Sequence, residues 1–155
     1  MAISSVLQNS FKTELLKGYH TFLASGGNVF KIALYNSSAD LTTTTTAYAT
    51  NPGGGADTEL STATGYTRPG KALTNSGVGV TTVTSFTSFS DISWTSASFT
   101  TRGCLIYNSS TVSGLTAGAA VCSIDFGGDK TVSSGTFTIQ FPANDATSAI
   151  IRLTS

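Results

Sequence analysis

The sequence predicts an all-β protein: an antiparallel β-sandwich or barrel of about eight strands with one N-terminal α-helix. Three observations predict it. Thr and Ser supply 27 and 22 of the 155 residues, and Thr suits strands while Ser and the 16 Gly suit the turns between them. Apolar residues recur mostly in short alternating runs bounded by turn residues. Sustained helical spacing occurs only near the start. Leu, Ile, Val and Phe total 36 residues, enough for a core in a chain this poor in charge. The length fits a single domain over residues 1–155.

The first element is an amphipathic helix over residues 5–17. Ser5 and Gln8 stand at capping-box spacing, and Leu7, Phe11 and Leu15 recur at i, i+4, i+8 on one face. Lys17 suits the negative end of the helix dipole, and Gly18 suits the residue just past it. The stripe is short and lightly basic, so it packs on protein rather than on a membrane, either on its own sheet or on a neighbouring subunit.

Strands follow. Val29–Tyr35 places Phe30, Ile32 and Leu34 on one face. The long polar connection 36–66 holds the run Thr42–Thr46 and Asn51-Pro52-Gly53-Gly54-Gly55, which excludes a central strand and marks a functional or mobile loop. Lys71–Asn75 and Val78–Ser90 are further strands; a slip of alternation between Val80 and Val83 predicts a bulge. Ile92 and Trp94 form a short strand, and Phe99–Asn108 another, with Cys104 and Ile106 opposite Leu105 and Tyr107. Ala119–Phe126 ends in a Gly127-Gly128 turn, Thr136–Phe141 alternates Phe137, Ile139 and Phe141, and Ala149–Leu153 closes the chain. Pairing the strands at 104–107 and 119–124 as a hairpin sets Cys104 beside Ile124 and Cys122 beside Ile106. That offset leaves the cysteines as two free buried thiols.

The composition speaks against several functions. Eight Lys and Arg balance eight Asp and Glu, so a phosphate-neutralising basic surface, and with it nucleic-acid binding, is not expected. No apolar run reaches the roughly 18 residues of a membrane span, and the N-terminus lacks the pattern of a signal peptide.

Local motifs that carry chemistry elsewhere have plainer readings here. His20 has no Ser-plus-acid setting and reads as structural or solvent-facing. Gly65-Tyr66-Thr67-Arg68-Pro69-Gly70-Lys71-Ala72 nearly matches a phosphate-binding loop, but Ala72 lacks the hydroxyl and a strand follows where a helix is needed. Asp125 and Asp129 flank Gly127-Gly128, too few oxygens for calcium. Cys104 and Cys122 lack companions for zinc. Phe86, Phe89, Trp94 and Phe99 could line a sugar-binding face, though core packing is the simpler reading. Asn36-Ser37-Ser38 and Asn108-Ser109-Ser110 each end a strand and fit a glycosylation pattern; both read as turns in which a short side chain bonds the backbone. No catalytic residue, cofactor or metal is expected.

An ordered set of segments goes further. It begins with Asn9-Ser10-Phe11-Lys12-Thr13-Glu14-Leu15-Leu16 and Phe30-Lys31-Ile32-Ala33-Leu34-Tyr35, then Gly65-Tyr66-Thr67 with Gly70 and Leu73. Arg102-Gly103-Cys104-Leu105-Ile106-Tyr107-Asn108 and Asp125-Phe126-Gly127-Gly128-Asp129-Lys130 follow. Phe137-Thr138-Ile139-Gln140-Phe141-Pro142 and Ile150-Ile151-Arg152 close it. Over nearly the whole chain this set resembles a family of small virion structural proteins of tailed bacteriophages. Two departures are the long Pro52-Gly53-Gly54-Gly55 loop and Cys104, where a small residue such as Ala is expected. The resemblance implies a non-enzymatic protein of the virion, assembled in the host cytoplasm. Within that class it points to a capsid decoration or cement protein that stabilises the head. Its partner would be the major capsid protein and its state a homo-oligomer, with a trimer preferred. Leu7, Phe11 and Leu15 and the 36–66 loop are the expected contact regions. A neck or tail component contacting the host and a carbohydrate-binding module are the alternatives; the latter needs aromatic rings exposed on one face.

Overall fold

Two antiparallel sheets make a β-sandwich with one short helix, as the composition predicts. The structure is a computed structural model describing residues 2–62 and 65–155. Its elements are β1 (Val6–Leu7), α1 (Asn9–Leu16), β2 (Phe30–Tyr35), β3 (Lys71–Ala72), β4 (Asn75–Val80), β5 (Thr84–Phe89), β6 (Ile92–Asn108), β7 (Ala120–Ile139) and β8 (Ile151–Thr154). The larger sheet has the order β1-β7-β6-β2-β3 and the smaller β4-β5-β8.

A seam of aromatic rings joins the layers. Phe11 from α1 meets Phe22, which stacks on Phe30 of β2 with centroids 4.4 Å apart. Phe30 in turn meets Phe89 of β5 at 5.7 Å, and Phe89 meets Phe141. Cys104, Ile106, Ile32 and Leu34 complete this core from the larger sheet. The opposite face of that sheet carries Ala33, Tyr35, Leu105, Tyr107 and Ala120, and it too is buried. Its cover is the connection after β2. Ala39 and Leu41 are buried there beside Ile3 of the N-terminal segment, with Tyr48 packed against them. Bridges Ile3–Leu41, Ala47–Ala119 and Tyr35–Glu59 seat this cover on the sheet. The predicted 36–66 loop is therefore a third layer over its described residues, not a free excursion.

Several boundaries differ from the sequence reading, each for a local reason. The helix starts at Asn9, not at residue 5, and Gln8 at its N-cap makes no side-chain cap bond. Val6 and Leu7 pair with Ser123 and Cys122 as a strand instead, and the Ser5 hydroxyl accepts the Asp125 amide at 3.0 Å. The Gln8 side chain is fully buried and donates to the Ser123 hydroxyl at 3.0 Å. Gly18 does sit just past the helix with φ of +74°. Residues 78–90 are not one bulged strand; β4 and β5 form a hairpin closed by Thr81–Val83, with the Thr81 amide donating to the Thr84 carbonyl at 2.8 Å. Lys71–Asn75 shortens to Lys71–Ala72, and the last strand is Ile151–Thr154.

The two predicted short strands at 92–94 and 99–108 are one strand, β6. Likewise the predicted strands 119–126 and 136–141 merge into β7, which leaves Ala119, Gln140 and Phe141 just outside it. The Gly127-Gly128 turn is instead an outward bulge: Thr101 faces Lys130 while Gly103 faces Asp125. A second irregularity lies between Trp94 and Phe99, where Ser96 and, on β7, Ser134 take positive φ of 51° and 48°. Beyond Ser123 no strand among the described residues pairs with the outer edge of β7.

The predicted cysteine register holds. Cys104 faces Ile124 and Ile106 faces Cys122, and both cysteines are free and buried.

Candidate functional site

The apolar stripe of the N-terminal segment is covered from within the chain. Phe11 is 1 % exposed in the central core, and Leu7 on β1 and Leu15 on α1 pack partly buried against that core. Of the expected contact residues Leu7, Phe11 and Leu15, Phe11 has no free surface in the single chain, Leu7 lies on a strand rather than on the helix, and Leu15 borders an open cleft. Among the polar residues on the outward side of the helix stands one large apolar side chain, Leu16, 91 % exposed.

The other singled-out residues tie segments together. Asn108 donates from Nδ2 to Nδ1 of His20 at 3.1 Å, which leaves the proton on Nε2 to donate to Glu14 Oε2 at 2.9 Å. His20 is thus a buried strut between α1 and the end of β6. Arg102 donates to Asp125 at 2.8 Å, and this hydrogen bond holds the Asp125 carboxyl below its usual range. No group of three or more metal-ligating side chains gathers among the described residues. Gly70, with φ of +88°, lets the 67–70 turn press its backbone against the Ile32 carbonyl, so the phosphate-loop look-alike is a turn onto β3. Asn36 and Asn108 each accept the amide two residues on, at 2.8 and 3.0 Å, the turn chemistry expected of both. Burial raises the Cys122 thiol to about 12 and the Cys104 thiol well above its ordinary value, so both stay protonated and inert.

Trp94 is 4 % exposed and Phe89 3 % exposed, packed in the core with Phe86 and Phe99 only partly covered. Trp94 and Phe99 meet Tyr66 and Phe137 at 5.4–6.5 Å. Phe89, Trp94 and Phe99 belong to the core of the sandwich, while Phe86 borders an open cleft.

A cluster that the sequence reading did not single out surrounds Glu59. Its carboxylate is fully buried and accepts from Tyr48 at 2.6 Å and from Tyr66 at 2.7 Å. Arg68 Nε lies 3.6 Å from the same carboxylate, while its NH1 reaches Asp57 at 2.6 Å and its NH2 the Glu59 carbonyl at 2.6 Å. Tyr35 and Tyr107 close the ring by donating to the carbonyls of Ala49 and Pro69. Burial first, then hydrogen bonding to Glu59, pushes the Tyr48 phenol up; burial does the same to Tyr66 and Tyr35. The phenols therefore remain donors and the arrangement is a clasp. It fastens the covering layer to β2 and to the turn before β3. Asp57, Glu59 and Arg68 crowd three of the chain's few charges into a dozen residues, the one trace of the clasp in the sequence.

An open apolar surface lies elsewhere. A cleft of about 320 Å³ runs between the end of α1 with the segment after it and one face of the smaller sheet. Leu15, Phe22 and Leu23 form one wall; Val78, Ile151 and Leu153 form the other. The register explains the second wall: Val78, Thr87 and Ile151 are aligned across the three strands, and so are Val80, Ser85 and Leu153. Aligned residues share a face. Val78, Val80 and Leu153 are 57, 74 and 54 % exposed, with Leu23 beside them at 51 % and Val83 at the turn at 60 %.

No protein-family model, curated protein or solved structure matches this chain.

Proposed function

We propose that the protein is a non-enzymatic structural component of a tailed-phage virion, a decoration or cement protein that sits on the head and stabilises contacts between capsid subunits. The observation that carries the proposal is where the ionisable side chains go. Glu14 with His20, Asp57 and Glu59 with Arg68, and Arg102 with Asp125 each join parts of the fold. Asp91 holds the Phe141 amide and Asp145 caps its own turn. Polar chemistry here builds a rigid β body, which suits a subunit whose work is to be a fixed shape repeated many times. Modest contacts per copy suffice in such a role, because a lattice of sites multiplies them. The buried Trp94 favours this reading over a carbohydrate-binding module.

The test is co-sedimentation of purified protein with isolated heads and isolated tails of the phage that encodes it, over a range of salt. Pelleting with heads, little changed by salt because the net charge is zero, supports the decoration role. Pelleting with tails alone moves the protein off the head and overturns that role; pelleting with neither overturns the virion assignment.

A further inference from the structure

We propose that the open face of the smaller sheet is a self-association surface, through which two copies of this chain pack about a two-fold axis. The proposal does not depend on the virion reading.

The cleft between α1 and β4-β5-β8 is one part of this surface. Beside it, at the β4–β5 turn end of the same sheet, Val80 and Val83 stand 74 and 60 % exposed. A two-fold axis turns such a patch onto itself, so each copy covers the other's apolar residues reciprocally. Charge favours the same occupant. Across a two-fold axis every side chain near the centre meets its own sign, and like charges there oppose association. No Asp, Glu, Lys or Arg lines this cleft.

The area matches a reversible dimer. A Val or Leu side chain carries on the order of 100 Å² of apolar surface. At the exposures of Leu23, Val78, Val80, Val83 and Leu153, the patch offers on the order of 300 Å² per copy. Interfaces are about 60 % apolar, so the polar rim brings two copies to about 1,000 Å² in total, the size at which specific association begins. Such a contact exchanges readily, with a dissociation constant on the order of micromolar or weaker.

Sedimentation equilibrium of the full chain from about 1 µM to about 1 mM tests this, a span that covers weak interfaces. The wild-type mass should rise reversibly from 15.9 kDa towards twice that value. Val80→Glu and Leu153→Glu, each at a site more than half exposed, should raise the dissociation constant at least about 10-fold while the thermal melt stays cooperative. Thr131→Glu, on the exposed far end of β7, should leave it unchanged. A wild-type mass that stays at 15.9 kDa throughout overturns the proposal. So does a dimer that both face variants leave intact, or one that Thr131→Glu disrupts equally. If one face variant fails to melt cooperatively, the other decides.

Discussion

The two halves of the β6–β7 hairpin share strands and differ in surroundings. In the half next to its loop, Gly103–Asn108 is buried throughout, between the aromatic core on one face and the 36–62 cover on the other. Its sequence there is a run of apolar residues without alternation, as expected of a strand covered on both sides. In the far half, Trp94, Phe137 and Ile139 face the core while Thr95, Thr100, Thr131, Thr136 and Thr138 lie exposed. Outward hydroxyls pair across the strands, Ser93 with Thr138 at 2.7 Å and Thr100 with Thr131 at 2.8 Å. The comparison explains the composition. Where one face meets water, Thr supplies β-branching without apolar exposure; where both faces are covered, Leu, Ile and Tyr replace it.

The largest expected effect is in the doubly covered half. Leu105→Ala, at a fully buried site, should cost about 2–5 kcal/mol in a urea melt. Ile139→Ala in the far half removes a side chain only partly buried and should cost about 1–2 kcal/mol. Equal losses at the two sites would mean that the halves are equally covered, and the contrast would fail.

Next comes the cover itself. Glu59→Gln keeps one acceptor for two tyrosine donors and turns an amide towards Arg68, which should cost about 1–3 kcal/mol. Hydrogen exchange would locate the change. Faster exchange in 36–62 and at Leu105, with the far half unaffected, sharpens the comparison; uniform acceleration would make the clasp part of the global core.

Smaller still is the outward ladder. A double-mutant cycle on Thr100→Ala and Thr131→Ala should give a coupling of about 0.2–1 kcal/mol. A larger coupling would mean that the exposed face of the far half is covered after all.

The smallest effect is in acid. Asp125 and Asp57 hold depressed carboxyl pKa values through hydrogen bonds from Arg102 and Arg68. A carboxyl depressed in the folded state stabilises it above the unfolded value, near pH 4, and that contribution disappears as pH falls through the folded value. Through these two pairs, thermal melts should fall as pH drops below about pH 4. Arg102→Gln should blunt that fall slightly, because Asp125 and Arg102 are both partly exposed and their pair is weak.

Alternation made the strand cores legible, and bulges hid their continuity. Phe30, Ile32 and Leu34, the cysteine register, and Phe137, Ile139 and Phe141 all lie on the faces their spacing predicts. Strand ends were misplaced wherever a ladder absorbs extra residues. Gly127-Gly128 reads locally as a turn, yet the sheet continues past it because Lys130 resumes pairing with Thr101. Conversely, Thr81–Val83 carries no Gly, Pro or Asn, so the β4–β5 turn has no turn chemistry to announce it. Ser5 and Gln8 satisfy a capping pattern, but their side chains have partners on β7, more than a hundred residues away. The Glu59 clasp was illegible for the same reason: its acceptor and its donors meet only after the cover folds onto the sheet.

The interrupted outer edge of β7 has a consequence at high concentration. An unpaired strand edge is a template on which a second strand can zip and a third can follow. Here an incoming strand finds Lys130–Ser133 and then Gly135–Ile139, with the looped-out 126–129 segment before them and the left-handed kink at Ser134 between. Each interruption shifts the donor and acceptor pattern, so no long register can propagate, and Lys130 would face its own charge in a stacked array of copies. The geometry of β7 thus blunts this one edge as a template for stacking crowded copies.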